Sequence, residues 1–193
     1  MKYTDLQLDG LKELINIGGG NAATSISKLI AQPISMSVPE VAVLDYQTLY
    51  TKIMEEDKEV HAVISSISGT FSGVFLFVLS DAAADRLVHL VMEDATEEMK
   101  QSIISELTNI IFNSFLNAIS QLLSAELAAS LPMARYDFFG AAISSLYLAL
   151  NQFDDHVLVI RNEFSYEQET LDASLFFIPE EGVLEEIFGT LGI

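Results

Sequence analysis

The sequence predicts an α/β domain, mixed in the α+β sense: a pseudo-two-fold tandem repeat with a largely antiparallel sheet and two long exposed helices. Three observations predict it. Two long segments, near 5–31 and 97–130, carry apolar residues three or four apart. Each is followed at a distance by a pair of β-rich runs joined by a short turn. The whole order then recurs at a shift of 93 positions, far longer than a solenoid period. A single domain over 1–193, with half-repeats at about 5–93 and about 97–193, accommodates all three.

In chain order, Leu8, Leu11, Leu14, Ile15, Ile26, Leu29 and Ile30 define the first helix, and Thr4 with Gln7 fits a capping box at its start. Gly18, Gly19 and Gly20 interrupt it at a cost of about 1 kcal/mol each relative to alanine. Either the helix breaks there or its backbone comes close to another element. A phosphate-binding loop is the weaker alternative, because no strand precedes the glycines and no Gly-Lys-Ser/Thr follows. A strand is expected near 34–44, then VHAVISSISG (60–69) and GVFLFVLS (73–80) as a hairpin. Asp81 is expected to cap a short helix, AAADRLVHLVM, before the second long helix opens on Glu97 and Glu98 at its positive end. A strand after Pro132, a second hairpin from HVLVIRNEF (156–164) and TLDASLFFI (170–178), and a closing helix with Pro179 in its first turn complete the second half.

Composition excludes several classes of function. Half of the residues are apolar, enough for a sizeable core, yet no apolar run reaches the roughly 18–20 residues of a membrane-spanning helix, and the start lacks a signal-peptide pattern. A soluble, cytoplasmic protein without membrane insertion is expected. There are no cysteines, and His61, His89 and His156 lie far apart, so no metal site is expected. A net charge of −19 with only nine Lys and Arg argues against nucleic acid as a partner; so much acid reads as solvated surface.

The shift of 93 superposes Leu11 on Ile104, Leu14 on Leu107 and Ile26 on Ile119, as any two amphipathic helices would. It also superposes Glu13 on Glu106, Asn16 on Asn109, Pro39 on Pro132 and Asp9 on Ser102. Both halves therefore read Asp/Ser-x3-Glu-x2-Asn-x22-Pro without a gap, a pattern that a given start matches by chance on the order of 10⁻⁵. Glu and Asn three apart sit about 60° apart around a helix and project side by side. One such pair on a solvated face needs no explanation. Two in register do, because Asn is a poor mid-helix residue. A neutral amide can accept a hydrogen bond from water and so orient a nucleophile, while Glu can act as a base or anchor a cation. The pair is incomplete alone, which points to a partner macromolecule that brings a phosphoryl group and a metal.

The segments LKELINIGGGNAATSISKLI (11–30) and ISELTNIIFNSFLNAISQLL (104–123) resemble the two signature helices of the CheC/CheX/FliY phosphatases of chemotaxis, and the resemblance runs over essentially the whole chain. It implies a CheC-like fold and a hydrolase of two-component signalling that removes the phosphoryl group from the phospho-aspartate of the response regulator CheY. Asn16 and Asn109 would orient the attacking water, and Glu13 and Glu106 would contact a receiver lysine. Mg²⁺ would belong to the receiver, and the chain would have no cofactor or metal of its own. Asp9, Ser102, Pro39 and Pro132 mark the motif; the prolines are expected to shape entry into the strand after each long helix.

Two intact pairs, with the sequence closing at 193 just after the second short helix, fit the CheC-like members best. CheX-like members keep one active pair, FliY-like members carry additional segments and FliM-like middle domains lack the pairs. The protein is expected to be a monomer, with CheD as a further partner; the competing reading is a noncatalytic adaptor that binds CheY or CheD. The halves differ where Gly18, Gly19 and Gly20 face Ile111, Phe112 and Asn113, so unequal sites are expected.

Overall fold

The computed structural model describes residues 3–149 and 156–193. The chain runs α1 (Asp5–Ile30), β1 (Ile34–Asp45), α2 (Tyr46–Lys52), β2 (Glu59–Gly69), β3 (Gly73–Leu79) and α3 (Asp81–Val91). It continues through α4 (Glu97–Leu123), β4 (Leu127–Ala129), β5 (Met133–Phe138), α5 (Phe139–Ala149), β6 (His156–Tyr166), β7 (Glu169–Pro179) and α6 (Val183–Leu191). Among the described residues the strands form a seven-stranded sheet in the order β1-β6-β7-β3-β2-β4, with β5 also on β2. Every pairing is antiparallel. No helix among the described residues is long and apolar enough to cross a membrane.

The two hairpins, β2–β3 and β6–β7, meet through β3 and β7, where Phe75 lies opposite Phe177 and Leu76 opposite Phe176. Each hairpin is then extended by a strand from the other half of the chain, β1 on β6 and β5 on β2. Neither half completes its own part of the sheet.

Alternation along β3 explains why its sequence is apolar throughout. Phe75, Phe77 and Leu79 face a core shared with α1, α3, α4 and α6, while Val74, Leu76 and Val78 face a second core under α2 and α5. The second layer differs from the sequence expectation, which held no helix at 46–52 or 139–149. The α2 helix is one short stretch capped by Asp45, whose Oδ1 accepts the Thr48 N–H at 2.7 Å. Phe139, Ala142, Ile143, Leu146 and Tyr147 of α5 are buried in a sequence so apolar that a 3.6-residue stripe does not stand out.

Other boundaries also depart from expectation. The α4 helix stops at Leu123, because Ser124 turns left-handed at φ 50° and β4 follows. Ser80, not Asp81, caps α3; its Oγ accepts the Ala83 N–H at 3.3 Å. Pro179 ends β7, and α6 starts after Gly182 in a left-handed conformation at φ 86°.

The α1 helix runs unbroken through its three glycines. A Cβ at Gly18 would stand 2.9 Å from the Phe115 ring, and one at Gly19 would stand 2.6 Å from Met36 Sδ and 3.0 Å from Asn162 Oδ1. Close approach is therefore the reason for both. Gly20 is different, since a Cβ there would meet nothing within 4 Å. Gly20→Ala is expected to stabilise the protein by about 0.5–1 kcal/mol. Gly18→Ala, forced against an aromatic ring, is expected to destabilise it by about 1–3 kcal/mol. Urea denaturation midpoints measured on both variants check the opposite signs.

Candidate functional site

The buried faces of the two long helices determine what their outer faces show. Leu11, Leu14 and Ile15 turn inward on α1, which leaves Asp9, Glu13 and Asn16 exposed together. On α4, Ile104, Leu107, Thr108 and Ile111 are buried, so Ser102 and Glu106 are exposed and Asn109 is half-buried. Each helix start is fixed. Thr4 and Gln7 form the reciprocal capping box of α1, and Thr96 Oγ1 accepts the Met99 N–H at 3.4 Å on α4.

A polar cluster fastens the first turn of α4 to its neighbours. Lys100 is buried, with Nζ 2.6 Å from Asp85 and 3.6 Å from Asp81 on α3. Asp81 lies 2.7 Å from His61 Nε2 on β2 and accepts the Tyr136 hydroxyl of β5 at 3.0 Å. Burial pulls the Lys100 ammonium down, but the hydrogen bond and charge of Asp85, with Glu97 and Asp81, outweigh it and leave its pKa raised. Hydrogen bonding by His61 first, then by Tyr136, holds the Asp81 carboxyl below its usual range despite some desolvation. The same carboxylate pushes Tyr136 up to about 12.

The structure gathers the whole second motif. Ser102, Glu106, Asn109 and Pro132 line one open groove of about 510 Å³ with Gln101, Ser105 and Leu131. Ser130 braces the far wall: its N–H donates to Ser66 O at 2.8 Å, its Oγ accepts the Ser66 N–H at 3.0 Å, and its carbonyl accepts Ser65 Oγ at 2.8 Å. Leu131 is thereby held at 84% exposure beside the Glu/Asn face. Sequence reasoning missed Ser130 and Leu131; the only signal was their position next to Pro132.

Pro132 immediately precedes β5, as expected for strand entry. Pro39 does not occupy the same place. It falls inside β1, where the register shifts between Ser37 and Glu40, and its side chain lies outside the described residues. A bulged edge strand tolerates a missing N–H, so Pro39 is accommodated by irregular pairing rather than by a strand start.

Neither Glu13 nor Glu106 has an ion-pair partner among the described residues, so both carboxylates are open to an incoming cation. Among the described residues no group of three or more His, Asp or Glu comes together to hold a metal. The two asparagines differ. Asn109 Oδ1 accepts an N–H from Asn113 at 2.9 Å, whereas Asn16 takes no side-chain hydrogen bond from any described residue.

Comparison with known proteins gives a consistent result. A family model for the CheC-like family matches residues 6–43, and one for the chemotaxis phosphatase CheX matches residues 60–138. The first match spans Asp9 to Pro39 and the second spans Ser102 to Pro132. The CheY-P phosphatase CheC of Bacillus subtilis (strain 168) is 30% identical over 197 residues, covering 96% of this chain and 94% of that protein. Thermotoga maritima FliY shares the fold with a TM-score of 0.76 at 19% identity, over 100% of this chain and 98% of that one. The FliM middle domain of H. pylori does so with a TM-score of 0.60 at 9% identity, over 97% and 99%.

The cluster under α4 makes a pH-dependent contribution of definite sign. Asp81 has a lowered folded pKa, so its contribution is present above its unfolded value near 4 and is lost as pH falls through the lowered value. Asp81→Asn is expected to flatten part of the acid limb of stability against pH. Lys100→Met, which keeps the stem but removes the charge, is expected to cost about 1–2 kcal/mol at pH 7. Denaturant titrations from pH 3 to pH 8 test both.

Proposed function

The chain belongs to the CheC-type chemotaxis phosphatase family, and on that premise we propose that it hydrolyses the phospho-aspartate of a phosphorylated CheY-type response regulator. The observation that carries the reading is the groove in which Ser102, Glu106, Asn109 and Pro132 meet. Glu13 and Asn16, exposed with Asp9 on α1, are taken as a second half-site of the same kind. On this reading the two halves of the chain are copies of one unit.

The chemistry needed from this chain is small. Water attacks the phosphorus of the acyl phosphate, the bond from phosphorus to the aspartyl oxygen breaks, the aspartate carboxylate is regenerated on the receiver and inorganic phosphate leaves. The amide oxygen of Asn109 or Asn16 accepts a hydrogen bond from that water and fixes its line of approach. An amide suits this position better than a carboxylate, because a negative charge beside a phosphoryl dianion would oppose approach. Glu13 and Glu106 serve docking instead. Unpaired and exposed, they receive a lysine ammonium of the receiver and hold each helix in register. Mg²⁺ would arrive with the receiver, as the family resemblance implies. CheD is retained as a further partner, and a cytoplasmic location as the setting, on the family resemblance.

A second reading, a noncatalytic adaptor for CheY or CheD, draws on the occurrence of the same fold in the FliM middle domain. One assay separates the two. Phosphorylated CheY should decay faster with this protein, and the Asn16→Ala, Asn109→Ala double variant should lose about 100-fold of that acceleration. Glu13→Ala with Glu106→Ala should instead raise KM about tenfold. No acceleration by the wild type favours the adaptor; acceleration that survives loss of both asparagines rejects the mechanism.

A further inference from the structure

We propose that Asn113 is a positioning residue that presets the Asn109 carboxamide, so that the second half-site is organised before its partner arrives and the first is not. The inference rests on the phosphatase reading and deepens it. Asn113 lies one turn beyond Asn109 on α4, and its Nδ2 donates both to the Asn109 backbone carbonyl at 2.8 Å and to Asn109 Oδ1 at 2.9 Å. The first bond anchors the donor to its own helix, so the second comes from a fixed group.

A carboxamide rotated by 180° exchanges its oxygen for its NH₂, and only the oxygen can accept a hydrogen bond from water. An N–H from Asn113 pairs only with that oxygen. It therefore selects one of the two orientations and removes a torsional freedom that would otherwise be lost in the transition state. An amide oxygen has two acceptor positions, so one remains for the nucleophile. Half-burial of Asn109 against the groove limits its freedom further.

The corresponding residue of α1 is Gly20, around which a Cβ would meet nothing within 4 Å. Asn21, next to it, directs its Nδ2 to the Ile17 carbonyl at 2.9 Å rather than to Asn16. Exposed Asn16 is left to rotate.

Each half-site is tested in a background that silences the other. With Asn16→Ala present, Asn113→Ala should lower kcat for phosphorylated CheY about 5-fold and leave KM unchanged, with the denaturation midpoint confirming a folded protein. With Asn109→Ala present, Gly20→Asn should raise kcat of the first half-site by a similar factor. An unchanged or increased kcat in Asn113→Ala overturns the proposal and leaves the phosphatase reading intact, because the wild type and the Asn16→Ala background still accelerate decay. A change in KM alone overturns it too, by making Asn113 a docking contact. No acceleration by the wild type overturns both.

Discussion

Because β3 and β7 pair at the centre of the sheet with large apolar side chains on both faces, both faces have to be covered, and much of the remaining architecture follows. One cover consists of α1 and α4 with α3 and α6; the other consists of α2 and α5. The long helices must then turn Leu11, Leu14, Ile104 and Leu107 toward Phe75 and Phe77, and this leaves one outward face on each. Glu13, Asn16 and Glu106 are exposed for that reason, and Asn109 is partly so. The candidate chemistry sits on the outside of a cover, with the second motif in an open groove there, which suits a target as large as another protein.

The long helices and hairpins were legible because each has a periodicity that burial alone dictates, every 3.6 residues for Leu11, Leu14 and Ile15, or continuous for GVFLFVL. The second helical cover was not. Residues 139–149 are apolar on almost every side, and 46–52 make two turns at most, so neither carries a stripe to count. The motif residues were legible from their repetition, but the groove was not, since it needs Leu131 and Pro132 to be brought back over α4 by Ser130. Sheet register is a tertiary fact. The bulge that receives Pro39 in β1, where the matching Pro132 stands before a strand, depends on pairing with β6 and not on local sequence.

The contrast between Gly18 on α1 and the aromatic residues of α4 has a packing origin. Where α1 meets α4, Gly18 leaves room for Phe115, and Ser114 donates to Ser25 at 2.8 Å. Phe115 meets Phe75 edge-on at 5.2 Å, and Phe112 stacks on the same ring at 4.9 Å. Two helices this close cannot both present bulk at their crossing, so one contributes glycine and the other phenylalanine. Gly18 is thus small on α1 for the same reason that Phe115 is large on α4, whereas Gly19 makes room for Met36 and Asn162.

A second difference lies at the surface, further along each helix. Gly20 continues the small run although nothing opposes it, while Asn113 stands at the equivalent place with a side chain long enough to reach back to Asn109. An amide that only orients water has no reactivity of its own, so its rate contribution depends on how narrowly its torsions are held. Holding it with a neighbour on the same helix requires no movement of the fold and no charge near a phosphoryl group. The packing that makes the helices unequal therefore leaves their outward faces free to differ in the one property such an amide can vary, its degree of orientation before the partner docks.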